Sequence, residues 1–211
     1  MKPAHNTTVL QARSLNFSYA NHPLLGNFAA NIPPGITLIR GGDGRGKSTL
    51  LKLLAGALHA QSGQLCINAI DLTAQPENYK AQVFYADPRS STFDQMSVPD
   101  YFELQRSSHA GFDDSTLADV VAGLGIQEHL HKQLFMLSTG SKRKVFIAAA
   151  FASSAAVTLL DEPFAAVDAA SIGFILSWLK DVAEASRRAW VIADYAPPDG
   201  LPLVQVIDLG D

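Results

Sequence analysis

The sequence predicts an α/β domain built on a phosphate-binding loop. Three observations predict it. Gly41-Gly42-Asp43-Gly44-Arg45-Gly46-Lys47-Ser48 matches G-x-x-x-x-G-K-[ST]. The loop is preceded by the apolar, β-branched run Ile36-Thr37-Leu38-Ile39-Arg40 and followed by the helix-forming Leu50-Leu51-Lys52-Leu53-Leu54-Ala55, and strand, loop and helix is the order such a loop requires. Further on, Val157-Thr158-Leu159-Leu160 runs without a polar alternation into Asp161-Glu162, as expected of a strand covered on both faces.

The chain has 211 residues, 47% hydrophobic and 17% charged, enough for one well-packed domain over residues 1–211 with a small inserted subdomain. A formal net charge of −4 and a pI near 5.8 give no polyelectrolyte footprint, so nucleic acid is not an expected partner. Cys66 is the one cysteine. That rules out an internal disulfide, offers no thiolate cluster for a metal, and fits a reducing cytoplasm. The uncharged run Val145 to Leu160, which includes Ser153, Ser154 and Thr158, is shorter than the about 20 residues a spanning helix needs. It reads as a buried helix, Val145 to Ala152, turning into a buried strand, Ala156 to Leu160. The first eight residues have no charged segment leading into an apolar one, so no secretion signal is expected. No direct membrane insertion is predicted; any membrane role must come through a partner.

Taken along the chain, the first element with chemistry is the loop itself. Its glycines allow consecutive N–H groups to point into one concavity, whose natural occupant is a polyphosphate. Gly41, Gly42, Asp43, Gly44, Arg45, Gly46, Lys47, Ser48 and Thr49 form the expected cradle. Lys47 reaches the terminal phosphates, Ser48 offers a hydroxyl to Mg²⁺, and the helix beginning there adds its positive end. Ser97-Val98-Pro99-Asp100 has the spacing of a capping box with an early proline. Asp113 or Asp114 can cap a helix whose Leu117, Val120, Val121 and Leu124 recur at helical spacing and stop near Gly125. Ser138 stands where an N-cap would, and Gly140 leaves the following helix N-terminus open to a phosphate. After the buried strand, Asp161 is placed to hold Mg²⁺ and Glu162 to polarise a water for attack on a γ-phosphate. The basic clusters Lys142-Arg143-Lys144 and Arg187-Arg188 read as solvated helix surface, with a docking or phosphate role as the alternative.

Leu137-Ser138-Thr139-Gly140-Ser141, about twenty residues before Asp161-Glu162, resembles the signature L-S-G-G-Q of the ATP-binding cassette (ABC) ATPases. The resemblance runs almost end to end. Tyr19 matches the aromatic that stacks on adenine, Leu50 to Gly56 the helix after the loop, and Ser62-Gly63-Gln64-Leu65 a strand start of the first subdomain. Asp161-Glu162-Pro163 with Ala165-Ala166-Val167-Asp168 is similar to the second carboxylate motif and the loop that crosses the dimer interface; Val206 to Gly210 is similar to the last strand. The resemblance implies a P-loop NTPase of ABC type, with a mixed-sheet RecA-like core, an antiparallel β subdomain and a helical subdomain inserted at about 93–140. It implies ATP and Mg²⁺ as cofactors, a homodimer or heterodimer holding ATP between a P-loop and the partner's Ser138 and Gly140, and separate transmembrane transporter subunits. The cytoplasmic side of the cell membrane is the expected location.

Four positions depart from the family's pattern. Aligned on Val83-Phe84-Tyr85-Ala86, the family's glutamine falls at Asp87; aligned on Trp190-Val191-Ile192-Ala193, its switch histidine falls at Asp194; Thr139 and Ser141 replace a glycine and the glutamine of the signature. Aspartate keeps an oxygen that can ligand Mg²⁺, so Asp87 joins Ser48 and Asp161 as an expected metal ligand. An ionised Asp194 would repel a γ-phosphate by roughly 3 kcal/mol at about 5 Å with an effective dielectric near 20. It must point elsewhere, be protonated, or be offset by a cation, for which Arg45 is the nearest candidate in sequence. The catalytic set is therefore Glu162, Lys47 and the altered Asp194, and the predicted function is ATP hydrolysis driving a transporter, slow or dependent on a partner. The alternative is a cassette that binds ATP and dimerises but hardly cleaves it. The phrase Leu160-Asp161-Glu162-Pro163-Phe164 resembles small subunits of haem-handling cytochrome c maturation systems.

Overall fold

The computed structural model describes residues 8–20, 22–185 and 187–210. In chain order the elements are β1 (Leu10–Tyr19), β2 (His22–Ile32), β3 (Gly35–Arg40), α1 (Lys47–Leu54), β4 (Ser62–Ile67), β5 (Ile70–Asp71), α2 (Pro76–Lys80) and β6 (Val83–Tyr85). There follow α3 (Val98–Ser108), α4 (Asp114–Gly123), α5 (Thr139–Ala152), β7 (Val157–Asp161), α6 (Ala169–Ala185), β8 (Ala189–Ala193) and β9 (Leu203–Asp208). Two sheets form. One has the order β2-β1-β4-β5 and is antiparallel; the other has the order β6-β7-β8-β3-β9 and is parallel in every pairing. The mixture of strand directions expected within the core sheet is thus divided between two sheets.

Every residue of β7 and β8 is buried, which is why these strands lack polar alternation. Leu159 and Val191 face a layer made with α1 and the antiparallel sheet, including Leu50, Leu53, Leu15 and Ile67. Leu160 and Ile192, one residue along, face the opposite layer with Phe151 of α5, Ile175 and Leu179 of α6, and Val120 of α4. Period-two side chains therefore feed two apolar layers from one sheet, each buried leucine contributing about 2 kcal/mol. Strand β9 closes one edge, with Val204 56% and Val206 47% exposed.

The stretch between β6 and α5 is helical for local reasons. Ser97 caps α3 by accepting from the Asp100 amide at 3.2 Å, and its hydroxyl donates to the Asp100 carboxylate at 2.6 Å. Asp113 caps α4 by accepting from the Ser115 amide at 2.9 Å and the Thr116 hydroxyl at 2.8 Å. The end of α4 is a Schellman turn. Gly125 has φ 63, its amide donates to Ala122 O at 3.1 Å, and the Ile126 amide donates to Val121 O at 3.2 Å. Helix α5 starts at Thr139, six residues before the buried stretch expected from Val145, because Ser138 accepts from the Ser141 amide at 3.1 Å and begins it.

Candidate functional site

Strand β3 delivers the chain to Gly41, and α1 begins at Lys47 after a left-handed Gly46, φ 91. A Cβ at Gly46 would stand 2.9 Å from the Leu24 side chain, so both the turn and its packing call for glycine. Lys47 is 7% exposed. Its ammonium donates to Gly41 O at 2.6 Å and Gly42 O at 2.9 Å, so the loop satisfies its own cation. The α1 N-terminus projects into an open cavity of about 270 Å³ lined by Tyr19, Leu24, Asp43, Gly44, Gly46, Lys47, Ser48, Thr49, Arg89 and Glu162. Tyr19 is half exposed, with its ring edge-on to Phe17 at 4.8 Å and its hydroxyl 3.3 Å from that of Thr49.

At the end of β7, Asp161 is 5% exposed and neither carboxylate oxygen has a hydrogen-bond partner. Burial pushes its carboxyl up, as does Glu162, while the nearby Ser48 hydroxyl and Arg89 act the other way. The Ser48 hydroxyl favours the ionised form without closing a hydrogen bond of good geometry. A buried, unpartnered carboxylate beside a hydroxyl is the donor set of a hard divalent cation, so Mg²⁺ fits here. Glu162 has the left-handed φ of 48, a strained backbone of the kind that clusters at functional sites. Its amide donates to Ala193 O at 2.8 Å, and its carboxylate accepts from the Arg89 guanidinium at 3.0 Å.

Asp194 follows β8. Its amide donates to Ile39 O at 3.1 Å, and its carboxylate accepts from the Ala196 amide at 3.2 Å. Burial raises its pKa, with the turn amides and the Lys47 charge opposing. The cation felt by Asp194 is therefore Lys47, whereas Arg45 is exposed and does not line the cavity. Asp87 meets Lys52 of α1 at 2.7 Å and accepts from the Arg89 amide at 3.0 Å. Burial works to raise its pKa, but Lys52 and the Arg89 amide outweigh it and hold the carboxyl low. A metal role for Asp87 would cost it the Lys52 pair.

Ser138 and Gly140 lie outside this cavity, at the start of α5. A Cβ at Gly140 would stand 2.2 Å from Ala166 O, so the turn after β7 packs against bare helix backbone. The basic residues that follow are not solvated surface. Lys142 donates to Ser90 O at 2.9 Å and pairs with Asp94, Arg143 donates to Ala165 O, and Lys144 meets Asp168 at 2.5 Å and Leu124 O at 3.2 Å. Arg188 is likewise anchored, donating to Ala155 O at 2.7 Å and the Thr158 hydroxyl at 3.0 Å over the Trp190 ring; Arg187 is exposed as expected. Each of these side chains meets a residue distant in sequence, which charge patterning cannot reveal.

The site thus assembles Tyr19, Asp43, Gly44, Gly46, Lys47, Ser48, Thr49 and Glu162 around one cavity, with Asp161 beside Ser48 and Asp194 near Lys47, whereas Gly41, Gly42 and Arg45 do not line it. Sequence reasoning missed Arg89 and Lys52. Nothing in a lone Pro88-Arg89 pair or an α1 lysine signals a role before the fold places them.

A family model described as ABC transporter matches residues 25–165. The chain is 31% identical over 167 residues, 79% of its length and 74% of the relative's, to the cytochrome c biogenesis ATP-binding export protein CcmA of Xylella fastidiosa (strain 9a5c). Among solved structures, an ATP-binding subunit of an ABC transporter superposes with a TM-score of 0.79 at 21% identity, covering 89% of this chain and 80% of that one. CbiO1 from Clostridium perfringens, part of the ABC transporter complex CbiONQ, gives 0.65 at 23% identity over 90% of this chain and 79% of its own.

Proposed function

We propose a residue-level mechanism from the premise that this chain belongs to the ABC transporter family: it is the ATP-binding, ATP-hydrolysing subunit of a transporter, and its cleavage site is the cavity at the head of α1. The observation that carries the reading is the convergence there of Lys47, Ser48 and Glu162 above the buried, unpartnered Asp161. ATP enters with its adenine against the exposed Tyr19 ring. Its phosphates take free N–H groups among residues 43–49, and Lys47 exchanges the Gly41 and Gly42 carbonyls for phosphate oxygens. Asp161 and Ser48 would hold Mg²⁺, which would supply charge neutralisation at the phosphates. Glu162 orients the attacking water and accepts its proton.

The exposed start of α5, with Ser138 and Gly140, faces the phosphates of a second ATPase subunit, identical or paralogous, so that ATP closes a head-to-tail dimer. Among the described residues no helix is long and apolar enough to cross a membrane. Transmembrane subunits would therefore hold the protein on the cytoplasmic face of the cell membrane. The relative's name, a cytochrome c biogenesis export protein, agrees with the resemblance of Leu160 to Phe164, and export serving that process is the favoured direction.

Turnover of Mg-ATP by the purified chain, beside Glu162→Gln, tests the reading. Wild-type hydrolysis that falls about a hundredfold or more in the variant, with an ATP-dependent dimer in light scattering, is expected. ATP binding without hydrolysis in either would overturn the hydrolytic assignment in favour of a nucleotide-dependent binding module.

A further inference from the structure

The charged residues lining the cavity are Asp43, Lys47, Arg89 and Glu162, with Asp161 and Asp194 close behind. A triphosphate brings further negative charge into a site rich in carboxylates, and Lys47 is already shared among loop carbonyls and the field of Asp194. Arg89 is the other cation facing this space. Its side chain is 64% exposed and spends a single hydrogen bond, at 3.0 Å, on Glu162. A guanidinium has five donors in a planar fork that matches phosphate oxygens, so most of its capacity faces the cavity unspent on Glu162.

The backbone carrying Arg89 is fixed on both sides. Asp87 is tied to Lys52 of α1 and accepts from the Arg89 amide, and Ser90 O accepts from Lys142 of α5. Only the exposed side chain extends beyond this anchored loop.

We propose that Arg89 is a γ-phosphate ligand supplied by the chain itself, held by Glu162 until a triphosphate arrives. On binding, the guanidinium leaves the Glu162 monoanion for the more highly charged γ-phosphate. Glu162 is thereby released to hold water only when there is a terminal phosphate to attack. Arg89 therefore distinguishes nucleoside triphosphate from diphosphate. This rests on the cavity being the ATP site proposed above.

The test is equilibrium binding of Mg-ATP and Mg-ADP to the wild type, Arg89→Ala and Arg89→Lys, alongside turnover, with thermal melts to verify folding. Arg89→Ala is expected to weaken ATP about tenfold while ADP stays within about twofold, and to lower kcat about a hundredfold; Arg89→Lys recovers part of both losses. Equal weakening of ATP and ADP, or no change in either, would overturn the assignment. So would faster turnover in Arg89→Ala, which would make the Glu162 pair a brake and nothing more. A wild type that hydrolyses nothing yet loses ATP over ADP preference in Arg89→Ala would sink the hydrolytic reading and leave this one standing.

Discussion

At Asp161 the fold places an ionisable group almost wholly out of water with neither oxygen hydrogen-bonded. An arrangement of that kind costs stability in the nucleotide-free protein and is tolerated where a ligand later offsets it. Asp161→Asn should therefore raise the nucleotide-free unfolding free energy, measured by denaturant titration, by about 1–3 kcal/mol, and remove the Mg²⁺ dependence of ATP affinity. A variant less stable than the wild type, with Mg²⁺ dependence intact, would show that the carboxylate is structural. Asp161 and Glu162 were legible in the sequence because a buried strand ending in two carboxylates is a local pattern. Arg89 was not, because its meaning is a 3.0 Å contact across 73 residues of chain.

Helix α5 acts as a clasp on the turn that follows β7. Arg143 donates to Ala165 O and Lys144 pairs with Asp168, whose carboxyl is held far below its usual range, first by the Lys144 ammonium and then by the Ser171 amide and hydroxyl. A carboxyl depressed in the folded state contributes stability that is present above its unfolded value, about 3.9, and is lost as pH falls through the folded value. Urea midpoints of the wild type should thus decline more steeply below about pH 4 than those of Asp168→Asn. Parallel curves would mean the pair contributes nothing. The elements themselves were readable wherever a cap was local, as at Ser97 and Asp113. Sequence reasoning took the clasp for solvated surface because basic residues in the first turns of a helix look alike whether water or a distant turn receives them.

The whole molecule is two apolar layers sharing one parallel sheet, and β7 feeds both. Leu159→Ala and Leu160→Ala, neighbours in sequence, open cavities on opposite faces and should each cost about 2–5 kcal/mol. Because the layers share strands, each variant should still unfold in a single transition by circular dichroism and fluorescence; separated transitions would divide the molecule in two. The strand, loop and helix at residues 36–55 was visible in composition and spacing. The antiparallel sheet was legible through family resemblance alone, since the β1–β2 hairpin joins the rest of that sheet through β4, which is distant in sequence. Gly140 carries a last consequence. Its missing side chain makes room for Ala166 O, a demand that exists with or without a phosphate in front of it. A lineage that abandoned hydrolysis would keep that glycine for the sake of its architecture. Its retention across descendants therefore testifies to an intact scaffold and is no witness to a living enzyme.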